Sequence, residues 1–274
     1  MTDILKTTIL GCGSSGGVPR LGGPEGRGDW GACDPKNLKN RRRRCSALFQ
    51  RIGPAGKTNV LVDTSPDLRE QMLGARVTNL DGVFISHEHA DQLHGIDDLR
   101  LVFHLMRRRL EVYADAPTAA DVSGRFSYIF ERAPGSGYPP VAKMNLIPEP
   151  FRIMEVSGAG GVLPVLAFPQ KHGAIRSLGF RIGSVAYSSD VNALGEKAFA
   201  ALAGVECWIV DALRHSPHVS HANVETALKW IERVKPKRAV LTNLHIDLDY
   251  ETLKRELPPG VEPAYDGMVI ETAI

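Results

Sequence analysis

The sequence has few cysteines and no long hydrophobic run, and each absence excludes a class of protein. Its 274 residues include four cysteines, at positions 12, 33, 45 and 207, with no closely spaced pair. This spacing does not fit a disulfide framework, and it predicts reduced thiols in the core. No run reaches the roughly 18 apolar residues that a membrane span needs, and the first residues lack the basic and apolar segments of a secretory signal. We therefore expect a cytoplasmic protein without membrane contact.

A strong charge of either sign is also absent. The formal net charge is +2, with 23% charged and 43% hydrophobic residues, which is typical of a soluble globular protein. Wholesale binding of nucleic acid is therefore not expected, and the arginine runs at 41–44 and 107–109 are interpreted as solvated surface. No linker-like stretch divides the chain, so we expect a single domain over residues 1–274. Possible pairing into a homodimer is left open.

Short β-rich runs alternate with helical patterns along the whole chain. Strands are expected at 7–11, 47–51, 59–63, 83–86, 110–113, 145–147, 151–156, 162–168, 178–182, 185–188, 207–210 and 239–242, with a final β-pair around 261–270. Helices are expected at 65–73, 96–109, 117–132, 196–203, 221–234 and 250–256, and a loop at 133–140. The two halves of the chain show similar patterns of strands interspersed with helices, which predicts two sheets packed face to face with helices outside.

The most informative motif is His87-Glu88-His89-Ala90-Asp91, directly after the apolar run 83–86. The motif places two imidazoles and a carboxylate at alternate positions, and a tight loop at the end of a strand can bring all three side chains around one ion. Imidazole nitrogens suit zinc, manganese or iron, and a carboxylate adds charge. The motif therefore predicts a metal site.

Other ligand-type residues also stand just past apolar strands. Strand ends along one edge of a sandwich converge on a common rim, so the loops that carry these residues can meet. The residues are Asp63, His172, Asp190, Asp211, Asn243 and His245.

With these residues in place, the chain resembles the metallo-β-lactamase superfamily of hydrolases along nearly its whole length. Within it, the chain is similar to the branch of phosphoribosyl cyclic phosphodiesterases, which open cyclic phosphodiesters of ribose phosphates. The stretches that carry the second similarity are 11–19, 45–46, 95–100 and 265–268. The resemblance implies an α+β fold, the four-layered αββα sandwich.

The resemblance also implies roles for individual residues. His87, His89 and His172 would hold a first metal, and Asp190 would bridge it to a second metal that Asp91 also binds. The expected cofactor is zinc or manganese, one or two ions per chain, which would lower the pKa of a bridging water. His221 matches the substrate-side histidine of the branch and would protonate the leaving alkoxide, so Asp91 and His221 are the expected catalytic residues.

Two positions depart from the family pattern. Gln92 and Asn243 stand where the family has second-metal histidines, and amides bind transition metals weakly. A second ion is therefore loose, absent or a harder one such as manganese. In an extended segment residues 243 and 245 point to one side, which favours His245 as a replacement metal ligand. His94 is instead expected to hydrogen-bond a ligand.

The N-terminal part also departs from some relatives. Cys33 is the one thiol in a stretch where those relatives hold a structural zinc, so a four-coordinate zinc is not expected here. Trp30 is expected to pack on the body. The glycines of 11–17 are interpreted as a tight turn rather than a phosphate cradle, and His215 and His218 as exposed loop residues.

The expected activity is hydrolysis of a small cyclic phosphodiester of a ribose phosphate or nucleotide. A lid that grips phosphate and stacks on a base is one feature that would suit it, and its candidate residues are Arg125, Tyr128, Arg132 and Tyr138. Three alternatives stay open at this point. They are a lactone or thioester hydrolase on the same scaffold, an enzyme that trims tRNA precursors, and a nucleotide-binding module with a weakened metal site.

Overall fold

Strands and short helices alternate throughout the computed structural model, which describes residues 3–132, 134–149 and 151–274. The strands are β1 (Ile4–Gly11), β2 (Ser46–Gly53), β3 (Gly56–Val62), β4 (Gly82–Phe84), β5 (Leu110–Ala114), β6 (Ala142–Leu146), β7 (Met154–Gly158), β8 (Gly161–His172), β9 (Ile175–Ile182), β10 (Val185–Ser188), β11 (Cys207–Asp211), β12 (Arg238–Thr242), β13 (Val261–Pro263) and β14 (Val269–Ala273). The helices are α1 (Leu68–Ala75), α2 (Ala90–Leu93), α3 (Leu99–Met106), α4 (Ala116–Arg125), α5 (Ser127–Phe130), α6 (Glu196–Leu202), α7 (Val224–Val234) and α8 (Tyr250–Glu256).

The strands form two seven-stranded sheets. The first has the order β14-β1-β2-β3-β4-β5-β6, and the second has the order β13-β12-β11-β10-β9-β8-β7. Strands β3 to β6 are parallel neighbours, as are β10 to β13. The carboxyl ends of neighbouring parallel strands share an edge of their sheet, which is where binding residues collect in such folds.

Three apolar clusters define four layers. One lies between the sheets and joins Phe49 and Val60 of the first sheet to Val165 and Phe180 of the second. A second packs the outer face of the first sheet on α1, α3 and α4, and a third packs the outer face of the second sheet on α6, α7 and α8. The predicted αββα sandwich is confirmed.

Burial on both faces explains the near-continuous apolar strands. In β2, Ala47 and Phe49 face the other sheet while Leu48 faces the helices, and all three are fully buried. Strands covered on both sides show apolar runs rather than alternation. All four cysteines are buried and free, which confirms their interpretation as core thiols.

Several predicted elements need correction. The C-terminal strands are not a pair, because β13 joins β12 in the second sheet while β14 joins β1 in the first. The helix predicted at 117–132 is two helices, since Phe126 leaves helical geometry at φ −125° and ψ 40°. The helix predicted from 221 begins at Val224, with the Asn223 side chain accepting from Thr226 N. Helix α2 was not predicted.

One further prediction falls partly on a residue that is not described, because the predicted loop 133–140 includes position 133. The strand predicted at 151–156 lies within the described residues but starts too early. Residues 134–140 form turns and bends, and β7 begins only at Met154. Within the described ranges, no helix has the length and apolar character to cross a membrane.

Candidate metal centre

The first histidine of the motif is held by the ends of two neighbouring parallel strands. Asp63 follows β3 and accepts hydrogen bonds from Ser86 N at 2.7 Å and Ser86 Oγ at 2.9 Å. Because Ser86 Oγ gives its one proton to Asp63, it accepts from His87 Nδ1, 2.9 Å away. The other ring nitrogen, His87 Nε2, is buried and has no hydrogen-bond partner. A buried nitrogen lone pair without a partner is what a metal ligand requires.

Three imidazoles converge at this point. The ring centroids of His87, His89 and His172 lie 4.6 to 5.1 Å apart, and their ligand nitrogens lie within 4.8 Å of one another. His172 ends β8, and its Nδ1 donates to Ser220 O at 2.7 Å, so its Nε2 faces His89 Nδ1 at 3.2 Å. Nitrogens at about 2 Å from one zinc ion have comparable mutual separations. The described residues therefore offer a three-nitrogen cup for one ion.

Burial favours the neutral form of His87 and of His172. Desolvation, and then the neighbouring His172 and His89, lower the pKa of His87 well below its usual value. Desolvation and His221 lower the pKa of His172 to about 4, against the hydrogen bond to Ser220. A neutral imidazole is the form that binds metal. His89 is exposed and His87 is fully buried, so the cup opens to solvent on the His89 side.

Asp190 follows β10 and approaches the same cup. Its Oδ1 lies 3.9 Å from His172 Nε2 and 3.9 Å from His221 Nε2, and the three residues form a second group of closely spaced ligand atoms. Desolvation, followed by the charge of Asp91, raises the pKa of Asp190 well above its usual value. A nearby cation would relieve that penalty. Asp91 itself is half-buried in α2, and it is outside both groups.

His221 lies in the loop before α7, where Asp211 orients it. Its Nδ1 is 2.8 Å from Asp211 Oδ2, at the end of β11, which leaves Nε2 facing Asp190. Desolvation lowers the pKa of His221, but the Asp211 charge and hydrogen bond, with Asp190 and Asp91, outweigh it and raise the pKa to about 9. The raised pKa favours the protonated form of His221 at neutral pH.

The two amides that replace family histidines are buried beside these groups. Gln92 Nε2 donates to Asp190 Oδ2 at 2.8 Å, and Asn243 Nδ2 lies 3.1 Å from His221 Nδ1. The amide oxygens of both residues are buried and have no hydrogen-bond partner. Both side chains therefore line the centre through their nitrogens.

The structure does not bring His245 into the centre. Asn243 has a left-handed φ of 61°, so the segment is not extended and residues 243 and 245 do not share a side. His245 Nδ1 instead lies 2.9 Å from Asp247 Oδ2. His245 is outside both groups of ligand atoms, and the extended segment on which its prediction as a metal ligand relied is not observed. His94 is exposed and packs edge-on against Phe126, 5.6 Å away.

Among the rim residues, Arg125 contacts the motif loop. It donates to Glu88 O at 3.0 Å and pairs with Asp121. The ring of His218 lies 5.1 Å from that of His221, whereas the exposed His215 pairs with Glu256.

The predicted lid residues do not all face the centre. Tyr128 is half-exposed under Arg100, and Tyr138 is largely exposed. Arg132 is exposed. Of these four residues, Arg125 forms a hydrogen bond to the motif loop.

Sequence reasoning missed Ser86 and the Ser220 carbonyl, which orient His87 and His172. For Ser86 the available signal was a hydroxyl residue between a buried strand and the first ligand. A backbone carbonyl gives no sequence signal. Asp211 and His221 were both predicted as site residues, but the hydrogen bond between them was not predicted.

The glycine-rich segment 11–17 begins at the last residue of β1 and forms the expected tight turn, in which Gly17 N donates to Ser14 O at 2.7 Å. A Cβ on Gly11 would lie 2.0 Å from Arg44 O, and one on Gly13 would lie 3.0 Å from Arg42 O. Glycine is therefore required for the approach of two backbones. Trp30 packs on a small cluster with Val18, Cys33 and Ile246, which confirms its packing role.

Three comparisons place the chain among known proteins. Residues 58–246 match the family model described as the β-lactamase superfamily domain. A solved structure described as a new diphosphatase from the PhnP family superposes with a TM-score of 0.86 at 30% identity, covering 99% of this chain and 98% of that one. Zn²⁺-bound PqqB from Methylobacterium extorquens superposes with a TM-score of 0.70 at 18% identity, covering 97% and 99% of the two chains, and this likeness shows the fold.

A curated relative carries a different name. An octanoyltransferase from Porphyromonas gingivalis (strain ATCC BAA-308 / W83) is 31% identical over 268 residues, which are 96% of this chain and 51% of the relative. The chain thus spans about half the length of that protein. Its name describes the whole relative, including the half that this chain does not match.

Proposed function

Since the chain belongs to the metallo-β-lactamase superfamily of hydrolases, we propose that it is a metal-dependent phosphodiesterase. Its substrate would be a small phosphodiester, cyclic or open, of a ribose phosphate or nucleotide. The observation that carries the proposal is the convergence of His87, His89 and His172 on one point, with Asp190 Oδ1 3.9 Å from His172 Nε2 and with His87 Nε2 buried and unpartnered.

The residues fit a divalent ion. His87, His89 and His172 would hold it, with Asp190 as the adjoining carboxylate. Zinc suits three imidazoles, and manganese also accepts the carboxylate oxygen. When bound, such an ion acts as a Lewis acid that activates water and neutralises phosphoryl charge.

The chain's own residues supply the rest of the chemistry. His221 presents Nε2 on the Asp190 side of the cup while Asp211 holds its Nδ1. In that position it would protonate the leaving alkoxide. Asp211 would keep the ring oriented and stabilise the protonated form.

Two observations bear on the bond that is cleaved. The similarity to a protein described as a diphosphatase supports attack on phosphorus, and it makes a diphosphate ester a second candidate substrate. A lactone or thioester hydrolase is the competing class, and the octanoyltransferase name is its one hint. The unmatched half of that relative makes the hint weak.

A substrate panel tests the proposal. The protein, reconstituted with zinc or manganese, is assayed on bis-p-nitrophenyl phosphate, a ribose cyclic phosphodiester, a nucleoside diphosphate ester, p-nitrophenyl octanoate and an octanoyl thioester. We expect turnover of phosphodiesters that chelation abolishes. Turnover of only the carboxyl ester or thioester would contradict the proposal, as would bound metal with no hydrolysis at all.

A further inference from the structure

We propose that this chain binds one metal ion rather than two, because Gln92 donates a hydrogen bond to Asp190 Oδ2 and so competes with a second ion for that oxygen. The inference rests on the proposed metal-dependent function and specifies its metal content. It is carried by the hydrogen bond between Gln92 and Asp190 and by the contact between Asn243 and His221.

The two oxygens of Asp190 have different neighbours. Oδ1 lies 3.9 Å from both His172 Nε2 and His221 Nε2, on the side of the imidazole cup. Oδ2 accepts the Gln92 amide N–H at 2.8 Å. A hydrogen-bond donor and a cation compete for the same oxygen, and an amide nitrogen has no lone pair to offer a metal. Asp190 is thus arranged to serve one ion through Oδ1.

Asn243 also presents its amide nitrogen, rather than its amide oxygen, to the neighbouring His221. Its Nδ2 lies 3.1 Å from His221 Nδ1, in the left-handed turn after β12. Where a histidine would present an imidazole nitrogen, this side chain presents a neutral amide. Amide oxygens remain as donors on Gln92 and Asn243, but neutral oxygens are weak ligands for zinc.

The first ion does not need these amides. Three imidazole nitrogens supply three of the four donors that zinc usually takes, and Asp190 Oδ1 lies 3.9 Å from one of them, His172 Nε2. The second group of ligand atoms, His172, Asp190 and His221, shares two residues with this set and adds one donor. The amides therefore act as hydrogen-bonding groups around a mononuclear centre.

Metal stoichiometry of the full chain tests this inference. The protein is equilibrated separately with zinc and with manganese, dialysed, and analysed by inductively coupled plasma mass spectrometry, with electron paramagnetic resonance of the manganese form. We expect one ion per chain and the spectrum of isolated manganese ions. The double variant Gln92→His/Asn243→His should bind two ions and show exchange coupling between them.

The control is Gln92→Asn, which retains an amide and should stay at one ion. Two ions per wild-type chain, zinc or manganese, would overturn the inference and leave the proposed function standing. No bound ion would overturn both. A double variant that has the thermal stability of the wild type but binds only one ion would also contradict the inference. If the double variant does not fold, the metal stoichiometry of the wild type alone tests the inference.

Discussion

The imidazole cup and the surroundings of Arg42 are both buried polar clusters, but they satisfy their polar atoms differently. Arg42 donates to the carbonyl oxygens of His245 and Leu248 and to Asn40 Oδ1, at 2.7 to 3.2 Å. Arg42 Nε and His87 Nε2 are both buried without a hydrogen-bond partner, but a guanidinium N–H has no lone pair for a metal, whereas a neutral imidazole nitrogen has one. The paired N–H groups of Arg42 satisfy buried backbone carbonyl oxygens and so contribute to stability, whereas the lone pair of His87 is available to a ligand. We therefore expect mutations in the cup to affect metal and catalysis, and mutations at Arg42 to affect folding.

The largest effect is expected from removing a cup ligand. His172→Ala should lower kcat/KM on a phosphodiester by roughly a thousandfold or more, because loss of the ion removes about 4 kcal/mol of transition-state stabilisation. Steady-state kinetics and metal analysis measure this. The matched control is His215→Ala, at an exposed position paired with Glu256, which should behave as wild type. An equal loss of kcat/KM in both variants would contradict the prediction that His172 binds the metal and His215 does not.

His221→Gln should lower kcat by about 10²- to 10³-fold, since it removes the proton donor. In the wild type, His221 is protonated below its pKa of about 9, so the rate should fall as pH rises through that value. The variant should lose this alkaline decrease and keep its bound metal. A pH–rate profile of kcat measures both, and an unchanged alkaline limb in the variant would assign the proton donor elsewhere.

Arg42→Met should destabilise the fold by about 3 kcal/mol, because it leaves buried carbonyl oxygens without donors, and this lowers Tm by roughly 6–10 °C. Thermal unfolding followed by circular dichroism measures it. The control is Arg41→Met, since Arg41 is exposed beside Trp30 and should change Tm little. Metal content should stay the same in both variants. If Arg42→Met lost its metal while its Tm stayed unchanged, the prediction that Arg42 acts on folding and the cup on metal binding would be contradicted.

The smallest effect is expected at Ser86, which touches the cup without being a ligand. Ser86→Ala removes the acceptor of His87 Nδ1 and should weaken metal affinity about 10- to 100-fold. Competition with a fluorescent chelator measures the affinity. Ser188→Ala is the control, because that buried hydroxyl accepts from Trp208 and lies outside the cup. Similar affinities in both variants would show that His87 needs no such support.

The sequence predicted the sandwich well because its strands are buried on both faces. Runs such as 83–85 and 207–210 are apolar and buried throughout, so they stand out from the turns. Element ends were less well predicted. The left-handed residues that end α3 and α7 are Arg107 and Lys235, residue types that carry no stop signal of their own.

The candidate site was predicted in its ligand types but not in its geometry. His87, His89 and His172 meet as expected, whereas the His245 prediction relied on an extended backbone that Asn243 does not adopt. Sequence reasoning could recognise Gln92 as an unusual residue for the family. It could not show that its amide points its nitrogen at Asp190.

The amino-acid sequence alone determined the layers of this protein and the donor atoms available at its strand ends, because burial and side-chain chemistry are properties of local residue patterns. Only the tertiary structure decided which donor atoms lie together in the candidate metal centre and which lie outside it. That choice depends on backbone dihedrals such as the φ of 61° at Asn243, and on hydrogen bonds between residues as distant in sequence as Gln92 and Asp190.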